Sequence, residues 1–202
     1  MLLFMRVLGL RTKALRVQVL DASRERDAMR SLAHTDPLTG LPNRRGLNIA
    51  LAAALPRCGP DNMLAVYVMD LDGFKHVNDQ HGHDVGDELL IAVTRRLQGH
   101  VRQSDVVARL GGDEFVVMAG HLSSLQQAQD LGHKLLEAFR SPFSLGRVQV
   151  EVGLTIGYAI APDDSSDAVG LLKLADAAMY SGKQGGKFCL RRNTGDLALS
   201  ST

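Results

Sequence analysis

Tryptophan is absent, and only three tyrosines and six phenylalanines occur in 202 residues. That is too few aromatics for a surface on which single strands stack base by base. Cysteine is nearly absent: Cys58 and Cys189 stand far apart. This excludes a disulfide framework and a cysteine-rich zinc site, and it suits a reducing, cytoplasmic setting. Net charge is lacking too. Lys and Arg number 23 against 22 Asp and Glu, a balance of +1, so no nucleic-acid partner gripped by a basic surface is expected. The apolar start is interrupted by Arg6 and Arg11, so it reaches neither the about 20 apolar residues of a membrane span nor a signal peptide. Membrane association would require a sensor or membrane segment preceding it. What remains is an ordinary globular composition at a length that suits one domain.

The charge is unevenly placed. Residues 1–35 carry seven basic residues (Arg6, Arg11, Lys13, Arg16, Arg24, Arg26, Arg30) and three acidic ones, a balance of +4, which leaves −3 for the rest. Leu8, Leu15, Ala22 and Met29 recur every seven residues. Residues 1–31 therefore read as a helical stalk or linker that pairs with a second copy, as one amphipathic helix on its own domain, or as the stub of a longer protein with an upstream input region. The main domain spans 32–191, and 192–202 reads as a flexible tail.

From Asp36 the sequence Asp-Pro-Leu-Thr-Gly-Leu-Pro-Asn is dense in turn formers. Helical spacing resumes over 43–55. The apolar run 63–70 predicts a buried strand ending at Asp70, followed by a polar turn and a helix over 84–100. Two short apolar runs, 106–110 and 114–119, are joined through Gly111-Gly112 as a hairpin. A helix is expected over 123–139, strands over 148–151 and 154–161, a helix over 168–183 and a last strand over 187–190. Strands and helices mix without strict alternation, which predicts an α+β fold with one mainly antiparallel sheet and helices on one side.

Chemistry concentrates in the acids. Asp70 and Asp72 close an apolar strand, while Asp113 and Glu114 sit at the hairpin. Carboxylates beside buried strands are costly unless neutralised, and hard-oxygen clusters suit Mg²⁺. Taken singly, the hairpin acids are equally explained as turn formers. Gly111-Gly112 permits both a tight turn and the close approach of a ligand. Gly182-Lys183 looks like the end of a phosphate-binding P-loop, but Ala177 and Gln184 occupy positions that need Gly and Ser or Thr. His76, His81 and His83 suggest a transition-metal cluster, although the acid-rich setting favours Mg²⁺.

The stretch Arg109-Leu110-Gly111-Gly112-Asp113-Glu114-Phe115 carries the signature of the GGDEF family of diguanylate cyclases. Asp36-Pro37-Leu38-Thr39-Gly40-Leu41-Pro42-Asn43-Arg44-Arg45 resembles that family's opening D-x-L-T-G-L-x-N-R-R. Asp70-Leu71-Asp72-Gly73-Phe74-Lys75 resembles its D-x-D-x-F-K turn. Asn78, His81-Gly82-His83 and Gly86-Asp87 follow its N-D-x-x-G-H-x-x-G-D arrangement, and Ala175-Asp176-Ala177-Ala178-Met179-Tyr180 with Lys183 its closing segment. The resemblance covers about residues 32–190.

The resemblance implies an α+β fold with a central, mainly antiparallel sheet flanked by helices, like the nucleotidyl cyclase or polymerase palm (ferredoxin-like) fold. It implies condensation of two GTP into cyclic di-GMP and two pyrophosphates across a homodimer, with two Mg²⁺ (or Mn²⁺) per active site. Asp70, Asp113 and the Leu71 carbonyl would ligate metal, and Asp113, Glu114 and Lys75 would carry the catalysis. Asn78, Asp87 and His83 would form the guanine pocket. Gly73, Phe74, Gly111, Gly112, Lys183 and Lys187 would complete the substrate site. Arg102 and Asp105 match the family's R-x-x-D product-inhibition spacing. The sequence departs at Lys187, where many members carry Arg and hence a bidentate phosphate fork, at Gly73, which replaces a bulky residue, and at Gly182, which replaces Ala. The rival readings are a catalytically silent receptor for GTP or cyclic di-GMP, and a cyclase making a mononucleotide.

Overall fold

In the computed structural model, residues 33–192 are described; the seven-residue repeat and the tail 193–202 lie outside the described residues. Asn43 caps helix α1 (Arg44–Ala54), accepting from the Arg45 and Gly46 amides at 2.9 and 3.1 Å. A 3₁₀ turn, Leu55–Arg57, leads to strand β1 (Met63–Asp72). Helices α2 (Phe74–His81) and α3 (His83–Gln98) follow, then the hairpin of β2 (Val106–Gly111) and β3 (Glu114–Leu122). The chain continues through α4 (Leu125–Glu137), the short strands β4 (Phe143–Leu145) and β5 (Val148–Val150), and β6 (Gly153–Ala161). The described residues close with α5 (Ala168–Gln184) and β7 (Leu190–Arg192).

The sheet order is β2-β3-β1-β6-β7, with β4 and β5 forming a separate ribbon. All pairs in the five-stranded sheet are antiparallel except β6 with β7. Alternation along β1 divides its side chains between two cores. Ala65, Tyr67, Met69 and Leu71 pack with Leu89, Val93 and Leu97 of α3 and Ala128 and Leu135 of α4. Leu64, Val66 and Val68 pack with Leu47 and Leu51 of α1 and Leu171, Ala175 and Met179 of α5. Helices therefore cover both faces, which corrects the expectation of helices on one side. The signal was in β1 itself: a continuous apolar run, without polar alternation, marks a strand buried on both faces.

Three further differences have local causes. The polar turn expected after β1 is the helix α2, whose eight residues bury only Val77 and so carry no apolar periodicity. Strand β4, three residues long, pairs only with β5 and was not expected. The last strand begins at Leu190 rather than 187, because Lys187 and Phe188 adopt left-handed φ of +59° and +43°, outside the extended region. Strand β1 also runs two residues past its expected end at Asp70, and this brings a second carboxylate, that of Asp72, into the sheet.

Candidate active site at the end of the central strand

Asp70 lies opposite Glu114 of β3 and Thr155 of β6. By alternation it shares a face with Val68 and Asp72, towards α5. From that helix the Lys183 ammonium reaches to 2.5 Å from Asp70 Oδ1, an ion pair with a carboxylate only 13% exposed. Burial pushes the Asp70 carboxyl above its ordinary pKa; Lys183 opposes this, while the neighbouring Asp113 and Asp72 charges add to it. The site thus holds more negative charge than Lys183 alone relieves.

Asp113 reaches this position on the tip of the β2–β3 hairpin, where its carbonyl accepts from the Leu71 amide at 3.4 Å. The two-residue loop Gly112-Asp113 has positive φ at Gly112 (+52°) and not at Asp113. That is not the pattern of a type I′ turn, which needs positive φ at both positions. Behind the tip, Arg109 makes the bonds that hold the turn: Nε and Nη2 donate to the Gly112 carbonyl at 3.0 and 2.7 Å. Its Nη1 meets Asp36 Oδ1 at 2.9 Å. Burial alone would raise the Asp36 carboxyl, but hydrogen bonds from Thr39 Oγ1 (2.6 Å), the Thr39 amide (2.9 Å) and Arg109 hold it below the ordinary carboxylate value. In the sequence Asp36 and Arg109 stand inside motifs, with no role expected of either. The available signal was one arginine inside an otherwise apolar strand.

Among the described residues no three His, Cys, Asp or Glu side chains form a ready-made cage for a metal ion. The histidine cluster suggested by His76, His81 and His83 is therefore not formed. Mg²⁺ needs no such cage when one or two carboxylates and substrate phosphates supply its shell. The crowded carboxylates around Asp70, together with the adjoining Leu71 carbonyl, are hard oxygen donors with charge to spare, and they fit such a cation.

Beyond β1, Gly73 caps α2 at φ +91°, a conformation that residues with a side chain rarely adopt. Phe74 and Lys75 open α2, and Lys75 is exposed. Asn78 on α2 lies against Gly86 on α3: a Cβ on Gly86 would stand 1.8 Å from Asn78 Oδ1, a buried oxygen without a hydrogen bond. His83 and Asp87 are exposed on α3, and Lys187 is exposed in the turn after α5. Arg102 and Asp105 lie elsewhere, at the far end of the six-residue β2 and so about 20 Å from the hairpin tip. Asp105 Oδ2 accepts from the Arg102 backbone amide at 2.8 Å, so this bond leaves the guanidinium uncommitted. Both residues line cavities of about 340 and 440 Å³.

The family description "Diguanylate cyclase, GGDEF domain" matches residues 33–189. The bifunctional diguanylate cyclase/cyclic di-GMP phosphodiesterase MucR of Pseudomonas aeruginosa is 41% identical over 88% of this chain and 25% of its own length. The cyclic di-GMP phosphodiesterase PdeR of Escherichia coli is 36% identical over 85% of this chain and 26% of its own. The chain thus spans about a quarter of the length of these curated relatives. A crystal structure of the GGDEF domain of P. aeruginosa TpbB superposes with a TM-score of 0.74 at 37% identity, covering 77% of this chain and 98% of that one. Among the described residues no helix is long and apolar enough to cross a membrane. A family match over residues 33–189, with a solved GGDEF domain of the same fold at 37% identity over the aligned part, shows that the chain belongs to the GGDEF-domain diguanylate cyclase family.

Proposed function

We propose that the protein is a diguanylate cyclase that joins two GTP molecules into cyclic di-GMP and releases two pyrophosphates. The observation that carries this reading is the largely buried Asp70 carboxylate, its pKa raised by burial first and then by the neighbouring Asp113 and Asp72 charges, and only partly relieved by Lys183. Such a site favours a divalent cation and the phosphates that accompany it. Asp70, Asp113 and the Leu71 carbonyl would hold Mg²⁺ or Mn²⁺, two ions per site once the triphosphate is bound, and these supply charge neutralisation at the reacting phosphate. The chain's own groups do the rest. Asn78 and Asp87 bind the guanine edge beside His83, since a carboxylate accepts from both N–H groups of that edge. Gly73, Phe74, Gly111 and Gly112 offer backbone at close range, while Lys183 and Lys187 hold the phosphates. Asp113, supported by Glu114, takes the proton of a ribose 3′-hydroxyl as its oxygen bonds to the α-phosphorus and pyrophosphate leaves. Lys75 meets the charge that develops.

One domain presents one such half-site, so closing a cyclic dinucleotide requires two copies face to face. Arg102 and Asp105 form the regulatory part of the proposal: a free guanidinium and a carboxylate at a cavity far from the hairpin suit a phosphodiester and a guanine, and so inhibition by the product.

Incubating the full chain with GTP and Mg²⁺ and identifying the nucleotide by mass spectrometry tests the proposal. Cyclic di-GMP is the expected product. Bound GTP with no cyclic dinucleotide would replace the cyclase by a receptor. The pocket has its own test. Gly86→Ala drives a methyl into Asn78 Oδ1, and the guanosine affinity is expected to fall at least about tenfold, the worth of a displaced polar contact. Titration with guanosine reads the effect, and an unchanged affinity would remove Asn78 from the guanine site.

A further inference from the structure

We infer that Asp72 is a positioning residue, a latch that fixes the turn between α5 and β7 so that Lys187 stands beside the end of β1; this rests on Lys187 binding phosphate, as proposed above. Asp72 is the last residue of β1 and follows Asp70 on the same face, yet its carboxylate is engaged differently. Oδ2 accepts from Thr155 Oγ1 at 2.7 Å and from the Phe188 amide at 3.0 Å. The same amide lies 3.1 Å from Thr155 Oγ1, and Thr155 is wholly buried. Three chain segments, β1, β6 and the α5–β7 turn, therefore meet at one carboxylate oxygen.

The turn needs such a restraint. Gly186 (φ +128°) is followed by Lys187 and Phe188, two residues with side chains that both hold left-handed φ. Consecutive non-glycine residues rarely adopt that region, and they persist there only when their surroundings over-determine them. The Lys187 amide is tied back to the Gly182 carbonyl at 3.2 Å. The next amide, that of Phe188, is tied to Asp72. Gly153 leaves the space for this junction, since a Cβ there would stand 3.1 Å from Asp72 Cβ and 3.3 Å from the Phe188 ring. The two acids closing β1 thus divide the work: Asp70 faces Lys183, and Asp72 sets where Lys187 is displayed.

The competing role is a second metal-ligating carboxylate, and the side-chain amide separates the two. Asparagine keeps an oxygen that accepts from Thr155 and Phe188 but carries no charge. The test titrates the full chain with Mg²⁺ and a GTP analogue bridged by methylene between its α and β phosphorus atoms, which cannot release pyrophosphate, and separately with guanosine. Asp72→Ala is expected to weaken the analogue about tenfold, the worth of one charge-assisted contact, and to leave guanosine unchanged. Asp72→Asn should stay within about twofold of wild type, and Asp72→Ala combined with Lys187→Ala should match Lys187→Ala alone within the same margin. Equal loss for guanosine, an Asn variant as weak as the Ala variant, or additive losses in the double variant would each overturn the latch. Should Asp72→Ala not fold, Thr155→Val removes one donor to the same oxygen and keeps the shape; a selective loss for the analogue supports the latch, and none overturns it. Wild-type binding of the analogue without turnover of GTP would sink the cyclase and leave the latch test readable. A wild type that does not bind the analogue would overturn both.

Discussion

Asp113→Asn is expected to lower the rate of cyclic di-GMP formation about a hundred- to a thousandfold, as loss of a group acting directly on transition-state charge does, while the domain stays folded. The fold should survive because the hairpin is held by backbone and by Arg109, not by the Asp113 side chain. The Asp113 carbonyl receives the Leu71 amide, and Arg109 grips the Gly112 carbonyl with two donors. What asparagine removes is the charge beside Asp70 and the proton acceptor for the 3′-hydroxyl. The second consequence is on ligand stabilisation. Saturating GTP with Mg²⁺ stabilises a protein that binds it only when folded, by about 2.7 kcal/mol at a hundred times the dissociation constant. The wild type should show such a rise in melting temperature, and Asp113→Asn a much smaller one. Product formation within tenfold of wild type would take Asp113 out of the mechanism.

Much of this site is legible in the sequence because its residues are local. The acids of β1 and of the hairpin stand beside unmistakable apolar runs, and Gly111-Gly112 marks the turn between them. What the sequence hides is long-range. Thr155, Phe188 and Asp72 meet across 116 residues, and nothing in the spacing of β6 announces that its buried threonine faces the end of β1. Helix α2 is hidden for another reason. It is held by the turn at Gly73 and by the packing of Val77 and Asn78, so its sequence lacks the apolar stripe that pattern reading requires. The two-sided burial of the sheet was readable in β1, but only by weighing its unbroken apolar run above the mixed order of the elements.

The largest effect on stability is expected at the brace behind the hairpin. Asp36 and Arg109 have side chains 15% and 10% exposed, and they join the segment before α1 to β2. Removing one partner of a buried pair leaves a charge without compensation, typically at a cost of 3–5 kcal/mol; the residual exposure brings the expectation for Arg109→Met to about 3 kcal/mol. Activity should fall with it, since the Gly112 carbonyl loses both donors and the tip carrying Asp113 is freed. Asp36→Asn isolates the charge. The folded protein holds the Asp36 carboxyl below its ordinary value, so the unfolded chain binds this proton more readily. The stability this group contributes is then fully present above the ordinary carboxylate pKa of about 4, and it is lost as pH falls through the depressed folded value. Denaturant unfolding should accordingly find Asp36→Asn less stable than wild type at pH 7 by about 1.5 kcal/mol, the lower end for hydrogen bonds to a charged acceptor given the pair's partial exposure. The difference should close as the pH is lowered below the carboxylate range. A gap that stays constant from pH 7 into acid would mean that the Asp36 charge contributes nothing, and that the brace works by shape and neutral hydrogen bonds alone.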